Sequence, residues 1–178
     1  MNSAKTIGNE RTSELEKSPK IAQPHAEDRL TEAIELLFFS YRDFTSDPDV
    51  ILTEYEFGRA HHRVVHFVGR NPGITVAELL TILRITKQSL ARVLRQLIER
   101  GFVEQKTGEK DRRQRRLYLT EAGAEFLRRL VAPQRERVSK AFAAAGPGAE
   151  TAWRSVMLAL LNEETRPEVD HVFTKESP

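Results

Sequence analysis

Apolar residues recur along most of this chain at intervals of three and four, the spacing of buried helix faces. From Asp28 to Phe44 they fall at Leu30, Ala33, Ile34, Leu37, Phe38, Tyr41 and Phe44, which predicts a helix with a wide apolar stripe. Ser46-Asp47-Pro48-Asp49 breaks that pattern. A brief apolar segment, Val50 to Tyr55, then leads through Phe57-Gly58 into a second helix over Arg59–Gly69, which Asn71-Pro72-Gly73 ends. Thr75-Val76-Ala77-Glu78 has the form of a capping box, in which Thr and Glu side chains satisfy each other's exposed backbone donors, and a short helix to Leu83 follows. Arg84-Ile85 makes a tight turn, and Thr86 caps the next helix through the donors of its first turn. That helix carries Leu90, Val93, Leu94, Leu97 and Ile98 on one face and stops at Gly101. The pair reads as a helix-turn-helix, with its recognition helix from Thr86 onward.

Beyond Gly101 the period changes to two. Phe102–Lys106 alternates like an edge strand, Thr107–Arg115 makes a loop, and Arg116–Leu119 returns as a second strand. Thr120 caps a long helix to Ala145 with a bend expected near Pro133, where a backbone donor is missing. After the Gly146-Pro147-Gly148 turn, Ala149, Trp153, Val156, Met157, Leu160 and Leu161 restore helical spacing up to Pro167. The fold class is mainly α with a small β-wing: a winged helix-turn-helix head plus N- and C-terminal dimerisation helices. Residues 1–26, with only isolated apolar positions, read as a disordered arm. Residues 27–57 form an N-terminal dimerisation helix and connector, 58–120 the winged head, 121–166 the C-terminal dimerisation helices and 167–178 a tail. The flanking helices hold more apolar surface than a small head requires, so they either build a two-fold homodimer or pack on the head.

Composition changes this picture in two ways. The 178 residues include no cysteine, which removes thiol redox sensing, thiolate metal sites and disulfides. The N-terminal residues lack a basic segment followed by an apolar stretch, and no run of eighteen apolar residues exists, so a soluble cytoplasmic protein with no membrane association is expected. The net charge of +2 is unevenly spread: Arg84 to Tyr118 holds eleven Lys and Arg against four acids, or +7, leaving about −5 elsewhere. A Gly-rich phosphate loop, a nucleophile motif and a catalytic carboxylate pair are all missing, so an enzyme is not expected. The cationic segment points to double-stranded DNA, with a protein-binding winged helix as the competing class.

The polar face of the recognition helix carries Lys87, Gln88, Arg92, Arg95 and Gln96. Gln88 can offer donor and acceptor together to an adenine edge, and Arg92 can fork onto the two acceptors of guanine. Thr86, Lys87 and Ser89, near the helix start, suit phosphate oxygens, where the helix dipole adds a favourable contribution. Arg95 suits either task. Lys110, Arg112, Arg115 and Arg116 are expected to grip phosphate and confer salt dependence.

Asp111-Arg112-Arg113 followed by Leu117-Tyr118-Leu119-Thr120-Glu121-Ala122-Gly123 resembles the D-x-R … L-T-x-x-G signature of the MarR family of bacterial winged-helix regulators. Leu97-Ile98-Glu99-Arg100-Gly101-Phe102-Val103 extends the resemblance, which runs from about Asp28 to Leu161. Gly58-Arg59-Ala60-His61-His62-Arg63 and Thr86-Lys87-Gln88-Ser89-Leu90 are similar, more narrowly, to the PetP-type subgroup. The resemblance implies a transcriptional regulator that binds DNA as a homodimer, its recognition helices in successive major grooves and its wings in flanking minor grooves. Two-fold symmetry alone requires a pseudo-palindromic site with half-sites on the order of ten base pairs apart. Arg113 matches the family arginine that enters the minor groove. Asp111 either orients Arg113 by a charge-assisted hydrogen bond or closes the turn through its own backbone. The cysteine used by peroxide-sensing relatives is missing, and the second helix carries histidines where many relatives have apolar or aromatic residues.

Those histidines raise the question of an effector. His62 and His66 lie four apart and share a helix side. With His61, Arg63 and the neighbours Phe38 and Tyr41 they form a candidate pocket for a small-molecule effector, since relatives bind small aromatic or phenolic ligands in that region. No metal set and no cofactor is expected; a metal- or haem-responsive regulator using these imidazoles is the alternative, and it needs a further ligand from another element.

Overall fold

The computed structural model describes residues 26–108 and 114–174. The chain divides into two compact units, Phe39 closing the first and Ser40 opening the second. In the first unit the described residues are all in helix α1, Ala26–Ser46, which crosses the boundary. Glu27 and Asp28 sit in its first turn, where their charge complements the helix dipole. The apolar positions of this unit, Leu30, Ile34, Leu37 and Phe38, are exposed.

In the second unit the end of α1 is followed by α2 (Asp49–Glu54), α3 (Arg59–Arg70), strand β1 (Ile74–Thr75), α4 (Val76–Leu83), α5 (Lys87–Glu99), β2 (Val103–Thr107), β3 (Arg115–Leu119), α6 (Glu121–Ala145), α7 (Ala149–Ala159) and α8 (Arg166–Thr174). The strands form an antiparallel sheet in the order β1-β3-β2, with Ile74 opposite Leu117 and Val103 opposite Leu119. Leu90, Val93, Leu94 and Leu97 of α5 enter one core with Val64, Val65 and Val68 of α3, Leu79 of α4, Leu117 of β3 and Phe126 and Leu130 of α6. Burying each such side chain is worth about 1.5–3 kcal/mol, so this seam fixes the two helices of the head on the sheet.

Local caps do what their residues predict. Thr75 accepts from the Glu78 amide while Glu78 accepts from the Thr75 amide at 2.7 Å. Thr86 accepts from the Ser89 amide at 3.1 Å, and Thr120 from the Gly123 amide at 3.0 Å. Thr120 also donates to the Gly101 carbonyl at 2.6 Å, and its own amide donates to the Phe102 carbonyl. This places α6 directly against the start of β2. A Cβ on Gly123 would run into the Phe102 carbonyl oxygen, which explains in steric terms why a glycine follows Leu-Thr-x-x.

Three elements differ from the sequence expectation. Val50 to Tyr55, expected as an apolar segment, lies largely in α2, whose Thr53 hydroxyl donates back to the Asp49 carbonyl and whose Leu52 is buried. Strand β1 is two residues long, too short for periodicity to reveal, and exists because β3 pairs with it and the Gly73 amide donates to the Leu117 carbonyl. The segment expected as a tail from 167 contains α8, with Pro167 in the first turn, where no intrahelical donor is needed. Pro133 lies inside one continuous helix, α6, flanked by buried Leu130 and Gln134.

Candidate nucleic-acid interface and adjoining pocket

Burying the Leu90–Leu97 seam turns the opposite face of α5 outward. Thr86, Lys87, Gln88, Ser89, Arg92 and Arg95 are all exposed. The Thr86 hydroxyl is engaged twice, as the cap for the Ser89 amide and as a donor to the Ser89 hydroxyl at 2.9 Å, which orders the first turn. In the turn before it, Arg84 holds a left-handed conformation (φ 48°), and its guanidinium donates to Thr165 and to Glu168 of α8 at 3.2 and 3.3 Å.

The wing stem is defined by the β2–β3 register and closed by the Gly108 amide donating to the Gln114 carbonyl. Arg115 donates to the Thr107 hydroxyl across the stem, and Lys106 pairs with Glu104 at 2.7 Å. Arg116, expected at phosphate, donates to the Gly73 carbonyl at 3.2 Å and thereby ties β3 to the β1 turn. Lys110, Asp111, Arg112 and Arg113 lie outside the described residues.

A cavity of about 540 Å³ lies beside α3, lined by Tyr41, Phe44, Arg63, His62, His66 and Phe67 among others. Its volume suits a small organic ligand. Arg59, also on its wall, is held by Asp49 through two contacts at 2.8 and 3.2 Å, and Arg63 donates to the Tyr41 hydroxyl at 3.2 Å. Buried Gln134 donates to the Phe44 carbonyl at 3.1 Å. The His62 and His66 rings meet edge to face with centroids 6.3 Å apart.

His61 departs from the expected pocket set. It is buried, stacked on Phe57 at 4.3 Å and 9°, its Nδ1 accepting from the Gly58 amide at 3.1 Å and its Nε2 against Gln96 Oε1 at 2.8 Å. The preceding glycine supplies a backbone donor at the start of α3 and the histidine ring satisfies it, so His61 is a capping residue that faces α5. Phe38 belongs to the preceding unit, where it is exposed with its ring against Phe39. Among the described residues no three His, Cys, Asp or Glu gather as a metal set, and no helix is long and apolar enough to cross a membrane.

A family model described as the MarR family matches residues 55–114. The HTH-type transcriptional regulator PetP of Rhodobacter capsulatus is 49% identical over 140 residues, covering 79% of this chain and 84% of that protein. The chain belongs to the MarR family. It is a MarR-type transcriptional regulator, and its likeness to PetP extends over most of its length. Solved structures of the MarR family share the fold. A MarR-family regulator from Silicibacter pomeroyi superposes with a TM-score of 0.62 at 22% identity, over 74% of this chain and 90% of that one. The repressor CouR, solved bound to a 23-mer DNA duplex, gives 0.56 at 22% identity, over 76% and 99%.

Within this MarR-family head, sequence reasoning located the polar face of α5 and missed what holds it. Gln96 and Arg100 bond to residues 35 and 44 or more positions away, and no local pattern signals such a partner. The pocket histidines have a measurable electrostatic consequence. Burial, reinforced by the charges of His66 and Arg63 against an opposing contribution from Asp49, pushes His62 down to about 4. Burial and then the Arg70 charge lower His66 as well. Because the unfolded chain takes up these protons first, stability is fully present above the ordinary histidine value near 6.5 and declines as pH falls toward 4. The melting temperature of the wild type should therefore fall more between pH 7 and pH 5 than that of His62→Gln, as scanning calorimetry reads it. Parallel curves would show that His62 takes up its proton in the fold as readily as in the unfolded chain.

Proposed function

We propose that this regulator acts as a homodimer on a pseudo-palindromic operator in double-stranded DNA. The observation that carries the reading is the division of α5 into a buried apolar seam and an exposed face bearing Lys87, Gln88, Arg92 and Arg95. Gln88 and Arg92 read base edges in the major groove; Thr86, Lys87 and Ser89 hold phosphate at the helix start, and Arg95 does either. The wing follows with Arg113 in the minor groove, Asp111 orienting it, and Lys110, Arg112 and Arg115 on phosphate. CouR, seen on duplex DNA, shares the fold that presents these elements.

The second copy supplies the other half-site. The α1 stripe of Leu30, Ile34 and Phe38 and, separately, the stripe of Trp153 and Val156 on α7 with Leu160 just past its end are exposed apolar surfaces of the kind that two-fold interfaces cover. The cavity beside α3 takes a small aromatic effector, held by the walls of Phe44 and Phe67 and the polar groups of Tyr41, His62, Arg63 and His66. The protein works in the cytoplasm, where an operator is accessible, and carries out no catalysis.

Selection from a pool of random-sequence duplexes by the full chain tests this reading. It should enrich two inverted half-sites on the order of ten base pairs apart, with binding that weakens steeply as salt rises. Recovery of no common sequence would refute operator recognition and favour a protein-binding winged helix.

A further inference from the structure

Apolar packing holds α5 on the head but is not directional, and base reading demands direction. Rotating a helix by about 15° moves a point on its surface, roughly 5–6 Å from the axis, by about 1.5 Å. Paired base contacts tolerate about 0.5 Å. The Leu90–Leu97 seam sets the rotation of α5 about its own axis to the precision of side-chain packing, and a directional contact outside it sets that rotation more finely.

The residues at every fourth position, Gln88, Arg92, Gln96 and Arg100, form one ridge. The first two are the base-reading pair. Arg100 grips the connector between α2 and α3, and Gln96 meets His61 of α3. Arg100 donates to the Tyr55 carbonyl at 2.9 Å and to Glu56 at 3.0 Å, and its guanidinium lies 5.2 Å from the centre of the Phe57 ring. Phe57 stacks on His61, and His61 meets Gln96 at 2.8 Å. Because His61 Nδ1 accepts from the Gly58 amide, its proton sits on Nε2 and is donated to the Gln96 carbonyl oxygen, which settles the amide orientation. Glu56 occupies the left-handed region at φ 53°, a conformation that costs a non-glycine residue energy and that the clasp holds in place.

We propose that His61 is a positioning residue for DNA reading, setting the azimuth of the recognition helix through Gln96 so that Arg92, one turn away on the same ridge, meets its base. The inference rests on the reading of α5 as the base-reading helix. Gln96 touches no base in this account. It is the coupling between a capped α3 and the ridge.

The test uses the full chain, the duplex enriched by the wild type and a scrambled duplex of equal length. Gln96→Leu removes the acceptor, whereas Gln96→Glu keeps one for His61 while adding a negative charge. Gln96→Leu should lose about tenfold in the ratio of cognate to scrambled affinity, the order of one mismatched base pair, with scrambled affinity unchanged. Gln96→Glu should bind both duplexes more weakly at low salt yet retain the ratio. A purely structural role would lower the melting temperature and leave the ratio alone. The proposal is overturned if Gln96→Leu keeps the wild-type ratio or weakens both duplexes equally. Failure of the wild type to enrich any sequence would instead refute operator recognition itself.

Discussion

Ile34→Glu should leave each protomer folded and lower operator affinity by a factor on the order of 10²–10⁴, the range lost when two linked binding events become independent. Ile34 is 70% exposed in the single chain, so a polar substitution removes little internal packing, and surface changes of this kind shift stability by about 0.5 kcal/mol or less. The same substitution places a charge at the centre of the α1 stripe, between Leu30 and Phe38, where a two-fold interface over this stripe would strip it of water. Sedimentation should show monomers at concentrations where the wild type dimerises, with an unchanged far-ultraviolet dichroism spectrum. Undiminished dimerisation and affinity would assign this stripe a role other than the protomer contact.

Gly123→Ala should act on the fold instead. The added methyl group meets the Phe102 carbonyl oxygen, and that oxygen cannot retreat without stretching its bond from the Thr120 amide or dragging the start of β2. Overpacking of this kind costs about 1–3 kcal/mol and occasionally more, against which the better helix propensity of alanine returns at most about 1 kcal/mol. A backbone atom on the receiving side places the cost at the upper end. The melting temperature should fall by about 5–10 °C. Because Phe102 and Val103 begin the wing, operator affinity should fall as well, and an unchanged melting temperature would show that α6 can slide away from β2 without loss.

These two outcomes mirror how the molecule is written in its sequence. Features fixed by neighbours a few residues away were legible: the threonine caps at 75, 86 and 120, the stop at Gly101, the seam of α5 and the exposed polar face it implies. Features decided by distant partners were not. β1 is a strand because of β3, and Arg116 reaches the Gly73 carbonyl. His61 looked like its neighbours His62 and His66, yet a helix advances about 100° per residue, and that single step turns it from the cavity to α5. The glycine in the Leu-Thr-x-x-Gly string was visible as a motif, while its reason, the Phe102 carbonyl, appears only in three dimensions.

The distinction that matters most is between charge that grips and side chains that read. In the proposed reading, Lys87 and the wing stem cation Arg115 attract any duplex, and their contribution falls with salt regardless of sequence. Arg92 is assigned a different task, since it stands on the ridge held at its far end by Gln96 and Arg100. The most direct measurement is therefore the affinity of Arg92→Ala for the enriched operator and for every single-base variant of it. One position in each half-site should lose its preference, with about 1–3 kcal/mol lost on the parent sequence and little on the variant at that position. A uniform loss across all sequences would contradict base reading by α5 and reduce Arg92 to one more phosphate contact.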